Sequence, residues 1–360
     1  MRAKEKRGQR AAKGRTRVRP ASSRAGGGPV TLDEARALAR SAVAGLRSAA
    51  KASEAVSPAA VGFERKKLEL EWERERRRRT REYKATLAVM KRRGVRGLGA
   101  PRPKGEPAAQ AAGRPLQVFA EGDSWFDYPV PFFGGGIIPR LEDRIGVPIL
   151  NLAKAGDEVR YMLGVKEREL IVEQLANGCP AGGSWDAMLF SGGGNDIVHD
   201  PMALWIRDYD PALPPAGLVH QPRLDAALAI VRAGYEDLIA LRDHLSPATH
   251  LFFHAYDYAI ADGRGVCHLG PWLKPTFDLR GFPSLADRVA VTKVMLTQFA
   301  AMLAALERAS TNVTFIRTQG TLPERPDSWH NELHPSKAGF RTFAALFHQQ
   351  LKARFPTRVL

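Results

Sequence analysis

Five short runs of apolar residues, separated by long amphipathic stretches, constrain the fold of this chain more than any other feature of its sequence. The runs lack the polar alternation of a half-exposed strand and are therefore typical of strands buried on both faces. Strands that alternate with helices predict an α/β fold with a mostly parallel sheet and helices on both of its faces. The predicted strands span residues 116–121, 147–151, 186–191, 249–255 and 312–317.

The amphipathic stretches between these runs have the residue spacing of helices. Apolar residues recur at helical spacing from Leu224 to Leu245, and two further helices are predicted over residues 283–308 and 337–354. Ser336 is the predicted N-cap of the last helix, because a serine hydroxyl there accepts a hydrogen bond from the first turn. Ligands of such folds bind beyond the carboxyl ends of the strands, so we expect the chemistry to follow the strands.

Residues suited to catalysis follow the predicted strands. Ser124 lies in a Gly-Asp-Ser turn after the first strand, and Gly156 and Asn195 lie in glycine-bearing turns after the second and third. A serine hydroxyl that acts as a nucleophile needs a base to take its proton, and His334, just before the last helix, is a candidate. The oxyanion formed on acyl attack needs N–H donors, which glycine turns and the Asn195 amide can supply.

In this order, the residues resemble the sequence blocks of the SGNH hydrolases, also known as the GDSL esterase/lipase family. The matching residues are Gly122, Asp123 and Ser124 in block I, Asn151 and Gly156 in block II (with Ala153 in place of a glycine), Gly193, Asn195 and Asp196 in block III, and His334 and Pro335 in block V.

The resemblance covers about residues 115–355 and implies a three-layer α/β/α, flavodoxin-like fold. It implies that Ser124 is the nucleophile and His334 the base, while the Ser124 amide, the Gly156 amide and the Asn195 side chain form the oxyanion hole. The implied activity is hydrolysis of a carboxylic (acyl or acetyl) ester through an acyl group on Ser124. The substrate would be the ester of a small molecule, a lipid or a carbohydrate.

The sequence departs from the family at the position of the catalytic acid, where Asn331 stands in place of an aspartate. An aspartate fixes the imidazole tautomer and stabilises the imidazolium, and an asparagine offers no charge. Asn331 itself, Asp327 and Glu332 are the candidates for the acid or orienting group, and three outcomes are open. Asp327 or Glu332 replaces the missing carboxylate, a backbone carbonyl holds the ring of His334 in a Ser-His dyad, or the protein is slow or inactive.

Two further residues are candidate substrate contacts. Trp125 follows the nucleophile and lines a pocket or packs in the core, whereas Arg264 lies in a strand-end loop and clamps an anionic group or stays at the surface. Cys179 and Cys267 are expected to be buried thiols, because two cysteines are too few for a disulfide scaffold and lack the spacing of a zinc site. We expect no metal and no cofactor.

The N-terminal third carries the excess charge. Residues 1–110 contain 30 Lys and Arg against 11 Asp and Glu, whereas the rest of the chain contains 24 against 27. We predict a disordered basic tail over residues 1–30, a charged helical segment over 31–93 that forms a hairpin or one long helix, and a Gly/Pro/Ala linker over 94–114. The hydrolase-like domain then spans residues 115–360.

The basic segment is either a solvated face or a contact site for nucleic acid, an anionic membrane or an acidic protein. The alternative function of the chain is that of a non-catalytic interaction protein, which uses this segment on a degenerate hydrolase scaffold. We expect residues 111–360 to fold and to keep their esterase activity without the segment, unless its helix packs on the core. No signal peptide and no run of about 18 apolar residues is evident, so we expect a cytoplasmic location.

Overall fold

The structure is a computed structural model that describes residues 58–92, 115–128, 134–266 and 270–359. The predicted tail, the first part of the helical segment, the predicted linker and Cys267 lie outside these ranges. Cys179 is a buried free thiol, as expected.

A five-stranded parallel sheet forms the centre of the fold, with the strand order β2-β1-β3-β4-β5. All five predicted strands are confirmed, with ends that shift by one or two residues. This order is that of flavodoxin-like doubly wound sheets. The strands are β1 (Val118–Gly122), β2 (Ile149–Asn151), β3 (Ala187–Ser191), β4 (His250–His254) and β5 (Val313–Ile316).

Helices cover both faces of the sheet, as the alternation of elements predicts. In β4, Phe253 contacts Tyr235 on one face, with ring centroids 4.7 Å apart, and its neighbour Phe252 contacts Phe355 on the other face. The α-helices are α1 (Pro58–Arg92), α2 (Ile137–Ile145), α3 (Val159–Met162), α4 (Val165–Asn177), α5 (Gly194–Ile197), α6 (Gln221–Leu245), α7 (Lys274–Leu279), α8 (Leu285–Ala309) and α9 (Lys337–Arg354), and 3₁₀ turns span Asp200–Leu204, Pro215–Leu218 and Pro326–Ser328.

The last helix begins where its capping residue predicts. The Ser336 hydroxyl accepts a hydrogen bond from the backbone N–H of Gly339, which satisfies one of the free donors of the first turn of α9. Ser284 caps α8 in the same way, through the backbone N–H of Asp287. The cap at Ser336 also fixes where the chain leaves the loop that carries His334.

Helix α8 is long and strongly apolar. Its most apolar 18-residue window has a mean hydropathy of 1.7, so by length and composition alone it could cross a membrane. In this structure Phe299 and Leu303 on α8 are fully buried in the core, which is the environment of a core helix.

Helix α1 spans the described part of the charged segment, which fits both the hairpin and the single long helix, and it packs on the domain that contains the sheet. Tyr83 and Leu87 are buried, and the Tyr83 ring lies 6.2 Å from the ring of Trp185. Arg76, the first residue of a run of four arginines, is also buried. Of the two expectations for this segment, the one in which its helix packs on the core therefore holds for the described helix.

Candidate active site

Ser124 lies in a tight turn directly after β1. The backbone N–H of Asp123 donates to the carbonyl of Ser191 at the end of β3 (2.9 Å), and the N–H of Phe126 closes the turn onto the carbonyl of Asp123 (3.1 Å). Gly122 permits this close approach of the two strands, because a Cβ there would lie 2.6 Å from the Ser191 carbonyl oxygen. The turn therefore holds Ser124 at the carboxyl edge of the sheet.

The carboxylate of Asp123 fixes this turn from behind. It accepts hydrogen bonds from the Ser191 hydroxyl and from the backbone N–H of Trp125, both at 2.9 Å, and from the hydroxyl of Tyr256. Burial raises the pKa of Asp123 to about 6, although these donors favour the ionised form. Asp123 thus holds the position of the nucleophile without contacting the base.

His334, the predicted base, lies against Ser124. Its Nε2 lies 2.7 Å from the Ser124 Oγ, and its ring stacks on the ring of Tyr128 with centroids 4.2 Å apart. The backbone N–H of His330 donates to the carbonyl of His334 (2.8 Å) and closes the loop that carries the base. The structure therefore brings together two residues that are 210 positions apart in sequence.

Asn331 orients the ring of His334 with a neutral oxygen. Its Oδ1 lies 3.0 Å from the His334 Nδ1 and also accepts the backbone N–H groups of Leu333 and His334, both at 2.9 Å. Its Nδ2 donates to the Tyr128 hydroxyl (3.0 Å), and this hydroxyl also forms a hydrogen bond with the His330 Nδ1. These contacts decide which atom of the amide faces the ring.

The tautomer of His334 follows from this arrangement. Because Oδ1 can only accept, the His334 Nδ1 carries the proton, and Nε2 keeps a lone pair for the Ser124 hydroxyl. The alternatives of a displaced carboxylate and of a backbone carbonyl are both wrong for this structure, since the Asn331 side chain itself holds the ring.

The two candidate carboxylates are engaged elsewhere. Glu332 is fully buried, and its oxygens accept the backbone N–H groups of four loop residues, namely Gly263, Trp272, Leu273 and Lys274. Asp327 is exposed and pairs with Arg325. Glu332 therefore secures the loops beside the site, and Asp327 has no contact with the base among the described residues.

The pKa of His334 lies well below that of a free histidine. Burial, together with the nearby His330, lowers the pKa of His334 to about 3. A buried imidazole without a carboxylate partner is costly to protonate, because the cation loses its hydration. His334 is therefore neutral at physiological pH, with its Nε2 unprotonated, and the imidazolium is disfavoured by burial.

Ser124, Asn195 and His334 line the same cleft, as the sequence predicts. The Asn195 Nδ2 donates one N–H to the carbonyl of Asp157 (2.9 Å), and this bond aims the amide from the start of α5. Gly156 lies next to Asp157 with a φ of +84°, a left-handed conformation that favours glycine. Gly156 is exposed at the rim and does not line the cleft itself.

The cleft at Ser124 encloses about 390 Å³, its open mouth included. Trp125 lines it as predicted, and the Trp125 Nε1 is anchored to the carbonyl of Leu333 (3.1 Å). The remaining lining residues, which sequence reasoning did not assign to the site, are mostly apolar: Val198, Tyr256, Ala259, Thr292, Leu296 and Leu333. Only Tyr256 had a signal, because it follows the end of a predicted strand.

Arg264, the predicted substrate clamp, is not among the residues that line the cleft, and its contact with a substrate stays a prediction. Its guanidinium pairs with Asp262 and donates to the carbonyls of Trp329 and Pro326, both at 2.9 Å. It therefore ties one loop beside the site to another.

No protein-family model and no curated protein matches the chain. Solved structures match it at low identity. They include the lipase Lip_vut3 from a goat rumen metagenome, with 16% identity, a TM-score of 0.42, and coverage of 65% of this chain and 96% of that chain. An extracellular lipase from Streptomyces rimosus has 16% identity, a TM-score of 0.42, and coverage of 65% and 99%.

A member of the lipolytic G-D-S-L family from Veillonella parvula has 16% identity, a TM-score of 0.38, and coverage of 65% and 97%. Many of the matched structures are GDSL-like lipases or SGNH hydrolases by name, which is the family that the sequence blocks resemble. At these identities the likeness concerns the fold alone. The described chain is thus an α/β protein with a Ser-His-Asn site, and its function has to be argued from that site.

Proposed function

We propose that the protein is a serine esterase that hydrolyses a carboxylic ester through an acyl group on Ser124. The observation that carries this proposal is the contact of 2.7 Å between the Ser124 Oγ and the unprotonated Nε2 of His334. A serine hydroxyl within hydrogen-bond reach of a base whose other nitrogen is held by a third group is the arrangement of an activated nucleophile. Asn331 supplies that third group.

In the first half of the reaction, the Ser124 Oγ attacks the ester carbonyl while its proton moves to the His334 Nε2. The negative charge on the former carbonyl oxygen is stabilised by the backbone N–H of Ser124 and the second N–H of the Asn195 amide, which line the cleft, and by the N–H of Gly156, which the family resemblance assigns to the same oxyanion hole. When the tetrahedral intermediate collapses, the bond to the alcohol oxygen breaks and His334 gives its proton to that oxygen. The alcohol leaves, and Ser124 carries the acyl group.

In the second half, His334 takes a proton from a water molecule that attacks the acyl group on Ser124. Collapse of the second intermediate breaks the bond to the Ser124 Oγ, which takes back the proton from His334, and the carboxylic acid leaves. Because Asn331 carries no charge, the imidazolium formed in each half gains only the attraction of a neutral carbonyl oxygen. We therefore expect turnover slower than that of a site with a carboxylate.

The cleft favours a small acyl group. Val198, Ala259 and Leu296 give it apolar walls close to Ser124, and Trp125 closes one side. An acetyl or another short acyl chain fits such a cleft, and the alcohol part of the ester would extend through its mouth.

Hydrolysis of p-nitrophenyl esters tests the proposal. The full chain should release p-nitrophenol from the acetate ester faster than from the octanoate, and Ser124→Ala should abolish this release without moving Tm by more than a few degrees. Ser310→Ala, at the end of α8 and away from the cleft, is the matched control and should keep full activity. Retained turnover in Ser124→Ala would rule out Ser124 as the nucleophile.

An anionic partner for the N-terminal third remains a second proposal. Arg81 and Lys84 on α1 are exposed and could contact phosphate groups. Binding of the full chain to DNA, to RNA and to vesicles with anionic lipid should weaken steeply with salt if this holds. Binding that does not respond to salt, or is not observed, would contradict it.

A further inference from the structure

Helix α1 lies outside the part of the chain that carries the catalytic motifs, but one of its arginines reaches two segments beside the site. The Nη1 of Arg79 pairs with the carboxylate of Asp127, and its Nη2 donates to the carbonyl of Ala153 (2.6 Å). The ion pair is largely shielded from solvent, because the exposed fractions of the Arg79 and Asp127 side chains are 17% and 15%.

The two partners of Arg79 belong to two different segments of the site. Asp127 ends the turn that carries Ser124, and its backbone N–H donates to the carbonyl of Asp123 (3.1 Å). Ala153 begins the segment 153–157, which contains Gly156 and whose last residue accepts the amide of Asn195. One guanidinium therefore connects the nucleophile turn to the segment that places the oxyanion donors.

A second arginine of α1 supports the other end of the same segment. Arg76 is buried and pairs with Glu167 on α4. Glu167 also contacts the Lys154 Nζ (3.4 Å), which in turn lies 2.9 Å from the Asp157 carboxylate. The segment 153–157 is thus connected to α1 at both ends through charged groups with little exposure to solvent.

We propose that Arg79 is a positioning residue, which sets the distance between Ser124 and the oxyanion donors by bridging the Ser124 turn and the segment 153–157. The inference deepens the proposed esterase function and rests on it. A planar guanidinium can bind two acceptors at a fixed separation, whereas a lysine ammonium acts as a point charge and cannot replace it at such a site. Oxyanion donors act only when they are held to within about 0.5 Å of their productive geometry.

The consequence for the whole chain is that α1 supports the active site and is not an independent arm. Removal of α1 would leave Asp127 without its ion pair and the Ala153 carbonyl without this donor. The earlier expectation, that residues 111–360 keep full activity without the N-terminal segment, is replaced by an expectation of weaker catalysis.

The experiment compares Arg79→Met and Arg79→Lys in the full chain with the control Arg77→Met. Arg77 lies on the same helix, its side chain is 71% exposed, and it pairs with Glu73 of the same helix. Two quantities are measured in each variant. They are kcat and KM for p-nitrophenyl acetate, and the hydrogen-exchange rates of the backbone amides in the segment 153–157.

We expect Arg79→Met to lower kcat by about 10- to 100-fold with KM within about twofold, because misplacement of about 1 Å can cost about 100-fold in rate. Exchange should become faster at the amides of Lys154 and Asp157, which are bonded to the carbonyls of Gly122 and Lys154. Arg79→Lys should show a smaller loss of kcat, and Arg77→Met should match the wild type in both measurements.

Several results would overturn the inference. They are unchanged exchange in the segment 153–157 of Arg79→Met, faster exchange across the whole protein to the same extent, or a rise in KM with kcat unchanged. If the wild type does not hydrolyse esters, the proposed function fails, and the exchange measurement alone still decides whether Arg79 holds the segment. If Arg79→Met does not fold, Asp127→Asn breaks the same bridge from the other side and should give the same two effects.

Discussion

Replacing Asn331 by aspartate gives His334 a charged partner without changing the size of the side chain. One carboxylate oxygen of Asn331→Asp can keep the contacts to the His334 Nδ1 and to the two backbone N–H groups that now bind Oδ1. The other oxygen faces the Tyr128 hydroxyl, which must turn to donate to it. The His330 Nδ1, which contacts the same hydroxyl, must then carry a proton and donate it to the Tyr128 oxygen.

The expected gain in rate follows from the charge alone. In a serine protease the reverse change, from aspartate to asparagine, costs about 10⁴ in kcat because the amide leaves the ring in the wrong tautomer. Here Asn331 already selects the right tautomer of His334, so the penalty for a wrong tautomer does not apply. A hydrogen bond to a charged group contributes about 1.5–3 kcal/mol, against about 0.5–1.5 kcal/mol for a neutral pair.

The difference of about 1–2 kcal/mol favours the imidazolium of His334 and corresponds to a rise in kcat of about 5- to 30-fold. The same charge should raise the pKa of His334 from about 3 by about one unit. Because the base works only when it is unprotonated, the acid limb of kcat/KM lies at the pKa of His334 in the free protein. The limb should therefore move to higher pH in the variant, and in the wild type it should lie well below the pKa of a free histidine.

Steady-state hydrolysis of p-nitrophenyl acetate between about pH 2.5 and pH 9, with circular dichroism at each pH to confirm the fold, measures both effects. Asn331→Leu is the matched control, because leucine has a similar volume but cannot accept the Nδ1 proton, and it should lower kcat. The reasoning is refuted if folded Asn331→Asp shows an unchanged or lower kcat with an acid limb at the wild-type pH.

Further variants test the other assignments. Glu332→Gln should lower the free energy of unfolding in urea by about 2–3 kcal/mol, since an amide cannot accept all the N–H groups that the buried carboxylate accepts. Asp327→Asn, at an exposed side chain, should change neither stability nor kcat, and a loss of kcat would restore Asp327 as the acid. Leu87→Ala should cost about 2–3 kcal/mol if α1 packs as described, whereas Val89→Ala, at a residue that is 44% exposed, should stay within about 0.5 kcal/mol. Arg264→Ala should leave KM unchanged, and a marked rise in KM would place Arg264 in the substrate site after all.

The sheet and the Ser124–His334 pair could be predicted from the sequence because both depend on local patterns. Continuous apolar runs specify buried strands, and the carboxyl ends of parallel strands meet at one edge. Residues that follow those ends, such as Asn195, are therefore brought together whatever the details of packing. Ser336 marks the start of the last helix in the same local way.

The choice of Asn331 over Asp327 and Glu332 as the group that orients His334 could not be predicted, because it depends on contacts between distant parts of the chain. The orientation of its amide is set in part by the Tyr128 hydroxyl, which is 203 positions away. Glu332 is close to His334 in sequence, but its carboxylate accepts backbone N–H groups of other segments and does not contact the ring. The periodicity and the charge of the α1 sequence do not reveal that Arg79 forms an ion pair with Asp127 instead of facing solvent.

The central claim is that Ser124 is a nucleophile activated by His334, and covalent trapping tests it most directly. The full chain is incubated with a fluorophosphonate, and the adduct is located by mass spectrometry of the digested protein. We expect one adduct per chain on Ser124, no adduct in Ser124→Ala, and much slower labelling in His334→Ala. A folded wild-type protein that takes up no label, or that carries the label on another residue, would contradict the claim.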